Sequence, residues 1–450
     1  MFRFIWLLAA FAALTQLGFA QMTAAVYDTP RDSAPILFTP VLGDYYSQAD
    51  GLSLPDIVER AFANNGEITI ARLEVEKARA RLRQAQLRPN PSLEIEQSSG
   101  RLVGSPGDGE LSVGVTMPFE IYGQRNRRIE LAQADITLKE AELTARQREL
   151  ATKIFIDYVE ALGALRELKV LEETLDLDGQ TVKFVQIRVN EGETPPLELN
   201  LLQTEVDRLR AQRHLAEGKL QSALTKLKFY AGVAYETPLK LREEIATANL
   251  PVLPPSVETG IDVGLKNRPE IRLAVLEEQL ANAGLRLIRA QSRPDIAATA
   301  RYTQGRAGFD DPRGEFFQRD RSLSFGISIG LPVFNRNQGA KAEAEIAIRQ
   351  AQERRTFSEQ IIRNEIIATF QRIEAARRAV NILETSVIPR SRANIATIRS
   401  VYQIGELKIT DLIAEQRRLL DANRDLTQTL TERYRAQADL LIAIGAISFR

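Results

Sequence analysis

The sequence predicts an α+β membrane protein: long coiled-coil helices carrying four short strands, which close a β-barrel only when several chains pool them. Three observations carry this. Two stretches alternate large apolar residues with small ones at period two. The plan of helix, two strands, long helix, tip and return helix occurs twice in the chain. The N-terminus reads as an export signal, and no later stretch reaches the ~18 uninterrupted apolar residues of a spanning helix.

The clearest strand lies within Arg321–Gly339. Leu323, Phe325, Ile327, Ile329 and Leu331 fall on one face, and Ser324, Gly326, Ser328 and Gly330 on the other. A second copy runs over Glu110–Phe119, with Leu111, Val113, Val115, Met117 and Phe119 facing one way and Ser112, Gly114 and Thr116 the other. A soluble sandwich could hold one such strand. Two copies with a lipid-like outer face and a small inner face favour a bilayer, which tilted strands of about 9–11 residues can span. Both copies end in an apolar-Pro-apolar step (Met117-Pro118-Phe119 and Leu331-Pro332-Val333), then a polar Gly/Asn/Arg run that allows a turn.

Composition narrows the classes further. Lys plus Arg and Asp plus Glu each number 59, so the net charge is zero and no basic excess points to nucleic acid. There is no Cys, which removes disulfides, thiolate metal sites, Cys nucleophiles and lipidation at an N-terminal Cys. Charged residues make up 26% and aromatics 6%, which suits long solvated helices better than a thick globular core. Residues 1–20 have a basic start at Arg3, an apolar run from Phe4 to Leu17, and small residues at Gly18 and Ala20, and so predict a signal peptide cleaved after Ala20.

In order, residues 21–51 form an extended N-terminal arm. Repeat 1 covers 52–248. It opens with a helix over Leu52–Arg88, capped by Ser53 with Pro55 and Asp56 in its first turn. Strands follow at 92–99 and 110–119. A long helix then runs from Gln124 to Val189, where Tyr158, Leu162, Leu165, Leu168, Leu171, Leu175, Val182, Val185 and Val189 keep gaps of three, four and one seven. It breaks at a tip over 190–196, and a return helix spans Leu197–Tyr230. A Pro-rich linker covers 249–256. Repeat 2, 257–450, restates the plan: a helix, strands at 295–304 and 322–331 separated by a charged loop over Gly305–Asp320, a long helix over Gln338–Tyr402 kinked at Pro389, a tip at 403–406 and a return helix over Leu407–Gly445.

Four strands cannot close a barrel alone, and an open sheet in lipid would leave its edges unsatisfied. Cyclic assembly supplies the closure, and three chains would give an even twelve strands. Ser112, Gly114, Ser324, Gly326, Ser328 and Gly330 would then line the barrel lumen.

With both repeats in view, the mature chain resembles the outer membrane factor (TolC-like) family of bacterial efflux pumps over nearly its whole length. The run Leu331-Pro332-Val333-Phe334-Asn335-Arg336-Asn337-Gln338-Gly339 is similar to the CzcC-like branch that serves heavy-metal cation efflux. The resemblance implies a homotrimer with one twelve-stranded barrel in the outer membrane above an α-helical periplasmic tunnel. It implies a passive conduit, not an enzyme, working with a periplasmic adaptor (membrane fusion protein) and an inner-membrane pump of the RND type. The alternative within the same family is an exit duct for drug efflux or type I protein secretion.

The resemblance also implies roles at the tips. The family's adaptor grips a Val-Gly type step, which corresponds here to Glu191-Gly192-Glu193 and Ile404-Gly405-Glu406; only the second keeps an apolar residue before Gly. The family's resting constriction uses an acidic ring and a nearby Tyr, which Asp411 and Tyr402 match in spacing. Three Asp411 carboxylates around an axis would attract cations. A plainer role for Asp411 is to begin the return helix, as Glu198 would in repeat 1. The family's second acid matches Ala414, with Glu415 beside it.

No cofactor is implied. His214 lies among Arg and Gln without ligand-spaced partners and reads as a solvated helix residue. The non-channel alternative is a secreted coiled-coil structural protein whose strands form soluble hairpins.

Overall fold

The computed structural model describes residues 41–100, 108–246, 253–311 and 314–445. The expected signal peptide, residues 21–40 of the arm and residues 249–252 of the linker lie outside them.

After a four-residue helix α1 (Leu42–Tyr45), Tyr46 and Leu52 each bridge to Leu241, which ties this segment to the chain that follows the first return helix. The first expected helix is two. Ser53 caps α2 (Leu54–Asn64) in a capping box: its Oγ accepts from the Asp56 N–H, and the Asp56 carboxylate accepts from the Ser53 N–H at 2.9 Å. At Asn65 the backbone turns extended (φ −72°, ψ 130°), and its side chain accepts from the Glu67 N–H at 2.8 Å, starting α3 (Gly66–Ala85). Asn65 thus ends one helix and starts the next, which periodicity alone does not show.

Strands β1 (Ser92–Ser99) and β2 (Gly109–Phe119) lead into α4 (Gln124–Asn190). Its 67 residues correspond to about 100 Å. The return helix is α5 (Pro196–Ala231). The second half repeats the first. Ser256 caps α6 (Val257–Asn267) through the Thr259 N–H, and an extended Arg268 followed by Pro269 starts α7 (Pro269–Gln291).

Strands β3 (Asp295–Asp311) and β4 (Gly314–Gly330) have 17 residues each. This corrects the expected loop over Gly305–Asp320: both strands run on through it, paired residue for residue from Gly305↔Asp320 to Asp311↔Gly314. The charged side chains there break the apolar alternation, yet the ladder is made by backbone groups that are indifferent to it.

The second long helix also differs from expectation. It runs as α8 (Gln338–Ile382), a five-residue π-turn (Leu383–Val387) and α9 (Ile388–Gln403). Pro389 sits at the start of α9. Proline lacks an N–H and crowds the carbonyl four residues before it, and a widened turn absorbs both. The last helix is α10 (Ile409–Ala443).

The sheet order is β1-β2-β3-β4, all antiparallel, so β1 and β4 are its edges. The largest apolar core lies among the helices: Ile57, Val58 and Ala61 of α2 meet Ile154, Tyr158, Leu162 and Leu168 of α4, Leu220 and Leu227 of α5, and Leu430 and Tyr434 of α10.

Candidate functional site: the sheet faces and the helical tips

The register sorts the sheet into two faces. On one, Ile296 opposes Ile329, Ala298 opposes Ile327, Ala300 opposes Phe325 and Tyr302 opposes Leu323. Leu93, Ile95, Leu111, Val115, Met117 and Phe119 continue this face on β1 and β2. These β1, β2 and β4 side chains are exposed, with Ile296, Ala298 and Ala300 of β3 half-buried between them; Phe325 and Ile327 keep 78% and 74% of their surface. So wide an apolar surface marks contact with lipid or with other chains.

The opposite face carries the six residues expected to line a lumen. Ser324, Gly326, Ser328 and Gly330 of β4 are exposed, and Ser112 and Gly114 of β2 are buried. They are buried by a charged cluster that the alternation of β2 and β4 did not disclose. Arg301 of β3 lies opposite Gly114, donates from Nη1 to Ser112 Oγ at 3.2 Å and from Nη2 to Glu94 at 3.0 Å, and stands 3.6 Å from Glu96. The signal was present in β1 as Glu94 and Glu96 at period two, alternating with Leu93 and Ile95.

At the far end of the helices the two tips are built alike. Gly192 and Gly405 take left-handed φ values of +77° and +83°. At each, the next residue's N–H reaches back five positions, Glu193 to the Arg188 carbonyl at 2.9 Å and Glu406 to the Val401 carbonyl at 3.2 Å. That is the Schellman closure, and glycine takes its left-handed position without a Cβ penalty. Ile404 is exposed at the second tip, where Glu191 stands at the first.

Tyr402 is buried at 3% exposure among Val185, Leu199, Leu202, Ile409, Leu412 and Ile413, where the ends of α4, α5, α9 and α10 meet. Its hydroxyl donates to Glu198 at 2.9 Å, joining the second hairpin to the first. Burial, and then the Glu198 carboxylate, push the phenol well above its usual range, so it stays a donor. Arg188 completes the latch. Its guanidinium lies over the Tyr402 and Phe184 rings, each at 5.9 Å, donates to the Tyr402 carbonyl at 3.3 Å and pairs with Glu193 at 3.3 Å.

Asp411 stands apart from this latch. It is exposed in the first turn of α10, and its carboxylate accepts from the Lys408 N–H at 3.3 Å. The acids at matching places in the two repeats therefore do different things: Glu198 holds Tyr402, and Asp411 caps its own helix. Glu415 is buried, accepting from Asn394 at 3.2 Å and Arg418 at 2.8 Å.

Further along the seam, Asp178 of α4 is almost fully buried at 1% exposure and accepts from Gln416 Nε2 of α10 at 2.6 Å. Asp178 Oδ2 and Gln416 Oε1 have no hydrogen-bond partner among the described residues. Burial, reinforced by the nearby Glu205 carboxylate, pushes Asp178 up to about 7. Burial also opposes the charge on Glu205, but hydrogen bonds from Arg417 and Arg208 outweigh it and hold that carboxyl below its usual range.

A four-stranded sheet with one lipid-compatible face, set on duplicated helical hairpins whose first long helix spans about 100 Å, is the architecture of an outer-membrane channel protein. The model of the outer membrane efflux protein family matches residues 57–233 and 261–446, and the chain belongs to that family. Among curated proteins, the cobalt-zinc-cadmium resistance protein CzcC of Cupriavidus metallidurans is 23% identical over 403 residues, covering 88% of this chain and 91% of its own length. The outer membrane protein TolC of Vibrio cholerae is 21% identical, covering 92% and 95%. The cation efflux system protein CusC of Escherichia coli K12 is 24% identical, covering 86% and 85%. Crystal structures of CusC (TM-score 0.70, 20% identity, 94% of this chain and 99% of that one) and of VceC from Vibrio cholerae (0.67, 18%, 87% and 96%) share the fold. The chain is thus an efflux channel of the outer membrane, and its relatives are conduits rather than enzymes.

Proposed function

We propose that three copies of this chain pool their sheets into one twelve-stranded barrel and form the exit duct of a tripartite efflux system. The observation that carries this is the sheet itself. Its outer face is apolar and exposed, and its edges β1 and β4 have no partner strand among the described residues. In hydrocarbon such edges must be paired, and β4 of one copy beside β1 of the next pairs them all. The helices α4, α5, α8, α9 and α10 then continue the lumen into the periplasm.

The cargo class follows the relatives, several of which are named for cobalt-zinc-cadmium, nickel-cobalt-cadmium or general cation efflux. Heavy-metal cations are the cargo this reading favours, delivered by an adaptor that grips Glu191-Gly192-Glu193 and Ile404-Gly405-Glu406 and by an RND-type pump. Glu94 and Glu96 outnumber Arg301 in their cluster on the inner sheet face by one charge, which suits cation passage, as does Asp411 near the tips. The residue spans 52–248 and 257–450 act as its two repeats.

The test is reconstitution. The purified mature chain should run as a detergent-resistant trimer and give steady conductance in planar bilayers. A water-soluble monomer without lipid affinity would end this reading. Deleting the gene and measuring zinc, cobalt and cadmium tolerance tests the cargo separately.

A further inference from the structure

The extended hairpin that replaced the expected loop carries a cationic cluster that the duct does not use. On the apolar face of β3 and β4, the rungs rise from Ile296↔Ile329 to Tyr302↔Leu323 and then change character: Gln304 opposes Arg321, Arg306 opposes Arg319, and Gly308 opposes Phe317. All three arginines are exposed. None forms an ion pair with a carboxylate among the described residues. By register Glu110 and Asp320 fall on the other face, Asp108 is engaged by the Gly308 N–H at 2.9 Å, and Asp310 and Glu315 oppose each other on the arginines' own face, two rungs beyond Arg306↔Arg319.

Two arginines directly opposite one another are destabilising unless something anionic lies between them. Here Arg306 and Arg319 are such a pair, with Arg321 one same-face position below. The Arg306 guanidinium stacks on the Phe317 ring at 4.0 Å, which fixes its plane, and its N–H edges have no hydrogen-bond partner among the described residues. Planar forks of this kind match phosphate oxygens.

The height of the cluster selects the source of the phosphate. From Ile329 to Arg321 is about 26 Å along the strand, and with the usual tilt the Arg306↔Arg319 rung lies close to the top of a ~25 Å apolar band. The helices join the opposite end of the sheet, so the rung faces the outer leaflet. Tyr302 sits two residues below Gln304 at the same interface.

We infer that Arg306, Arg319 and Arg321 form a binding site for the headgroup phosphate of an outer-leaflet lipid. The inference rests on the barrel reading above. A phosphate clamped there relieves the like-charge rung and holds a lipid against the seam of the hairpin.

Native mass spectrometry on the full-length protein tests this. The protein is reconstituted with bis-phosphorylated lipid A or with its dephosphorylated form in a neutral phosphatidylcholine background, then gently extracted. The wild type should retain the phosphorylated lipid on the order of tenfold more than the dephosphorylated one, as expected for charge-assisted contacts. Arg306→Gln with Arg319→Gln and Arg321→Gln should lose that preference while still assembling and conducting; Arg319→Gln alone, the milder change, should lose most of it. Equal retention of the two lipids by the wild type, or an undiminished preference in Arg319→Gln, overturns the site while leaving the duct intact. Displacement by inorganic phosphate at equal concentration also overturns it, because any phosphate would then suffice. A wild type that neither assembles nor conducts refutes the duct and the site together.

Discussion

The buried Asp178 makes a pH-dependent prediction whose sign runs against the usual carboxylate. Its pKa rises from the ordinary 3.8 to about 7 on folding, chiefly through burial. Below pH ~4 both folded and unfolded chains hold the proton, and the pairing with Gln416 is at full strength. As pH climbs towards 7 the unfolded chain releases the proton and the folded one keeps it, so stability falls, and above 7 the full loss is reached. At about 1.36 kcal/mol per tenfold change in proton concentration, the rise from 3.8 to about 7 amounts to on the order of 4 kcal/mol. The geometry gives the proton a place. Gln416 Nε2 already donates to Oδ1, and Oδ2 and Gln416 Oε1 are two buried acceptors without a donor until Asp178 is protonated. Asn at 178 supplies that donor permanently. Asp178→Asn should therefore melt near the wild type at pH 4 and several degrees above it at pH 8, followed by helical circular dichroism of the detergent-solubilised protein. Hydrogen exchange along α4 and α10 should slow in the variant at pH 8 only. If the variant melts at or below the wild type at pH 8, or the wild type is indifferent to pH between 5 and 8, the argument for a protonated Asp178 fails.

Three further outcomes are expected. Tyr402→Phe removes the bond to Glu198, a charge-assisted contact in the range of ~1.5–3 kcal/mol. It should open the tips on the order of tenfold more often in single-channel recordings, and unchanged open probability would clear Tyr402 of the latch. Ile327→Asp puts a charge on the apolar face and should abolish detergent-resistant trimers, whereas a normal yield would mean the face is not lipid-facing. Asp411→Ala removes a first-turn carboxylate, with a stability cost of about 1 kcal/mol. A pore role adds reduced cation preference in bilayers, so a variant with unaltered selectivity would leave Asp411 as a helix cap alone.

What was legible in the sequence follows what each element's neighbours demand of it. Strands β2 and β4 could be read because large apolar residues on the exposed face alternate with small ones on the other at a strict period of two, the small ones of β2 lying under Arg301. The outer halves of β3 and β4 could not, because above the apolar band nothing demands alternation, and the pairing is carried by backbone groups that have no letter in the sequence. The break at Asn65 was hidden for a related reason. The apolar period continues across it, and only the short reach of one Asn side chain to Glu67 marks the new start. Pro389 did announce a disturbance, but whether a helix kinks or widens into a π-turn depends on the packing around it.

The tips show where the same reasoning stopped short. Gly192 and Gly405 are each followed by Glu, and both take the left-handed turn that the Schellman closure needs. Tyr402 and Asp411 were singled out together, yet one is buried in the latch and the other exposed at a helix start. The partners that make Tyr402 a latch, Arg188 and Glu198, come from the other hairpin, more than two hundred positions away. Asp178 left a trace that can be named. The apolar spacing of α4 runs in threes and fours except for one gap of seven between Leu175 and Val182, and Asp178 occupies the seam position inside that gap. A missing apolar residue in an otherwise regular seam asks for a polar group with a partner across the interface. Here the partner is Gln416, on a helix that belongs to the other repeat. The duplicated chain thus places this buried Asp178–Gln416 contact between its two halves.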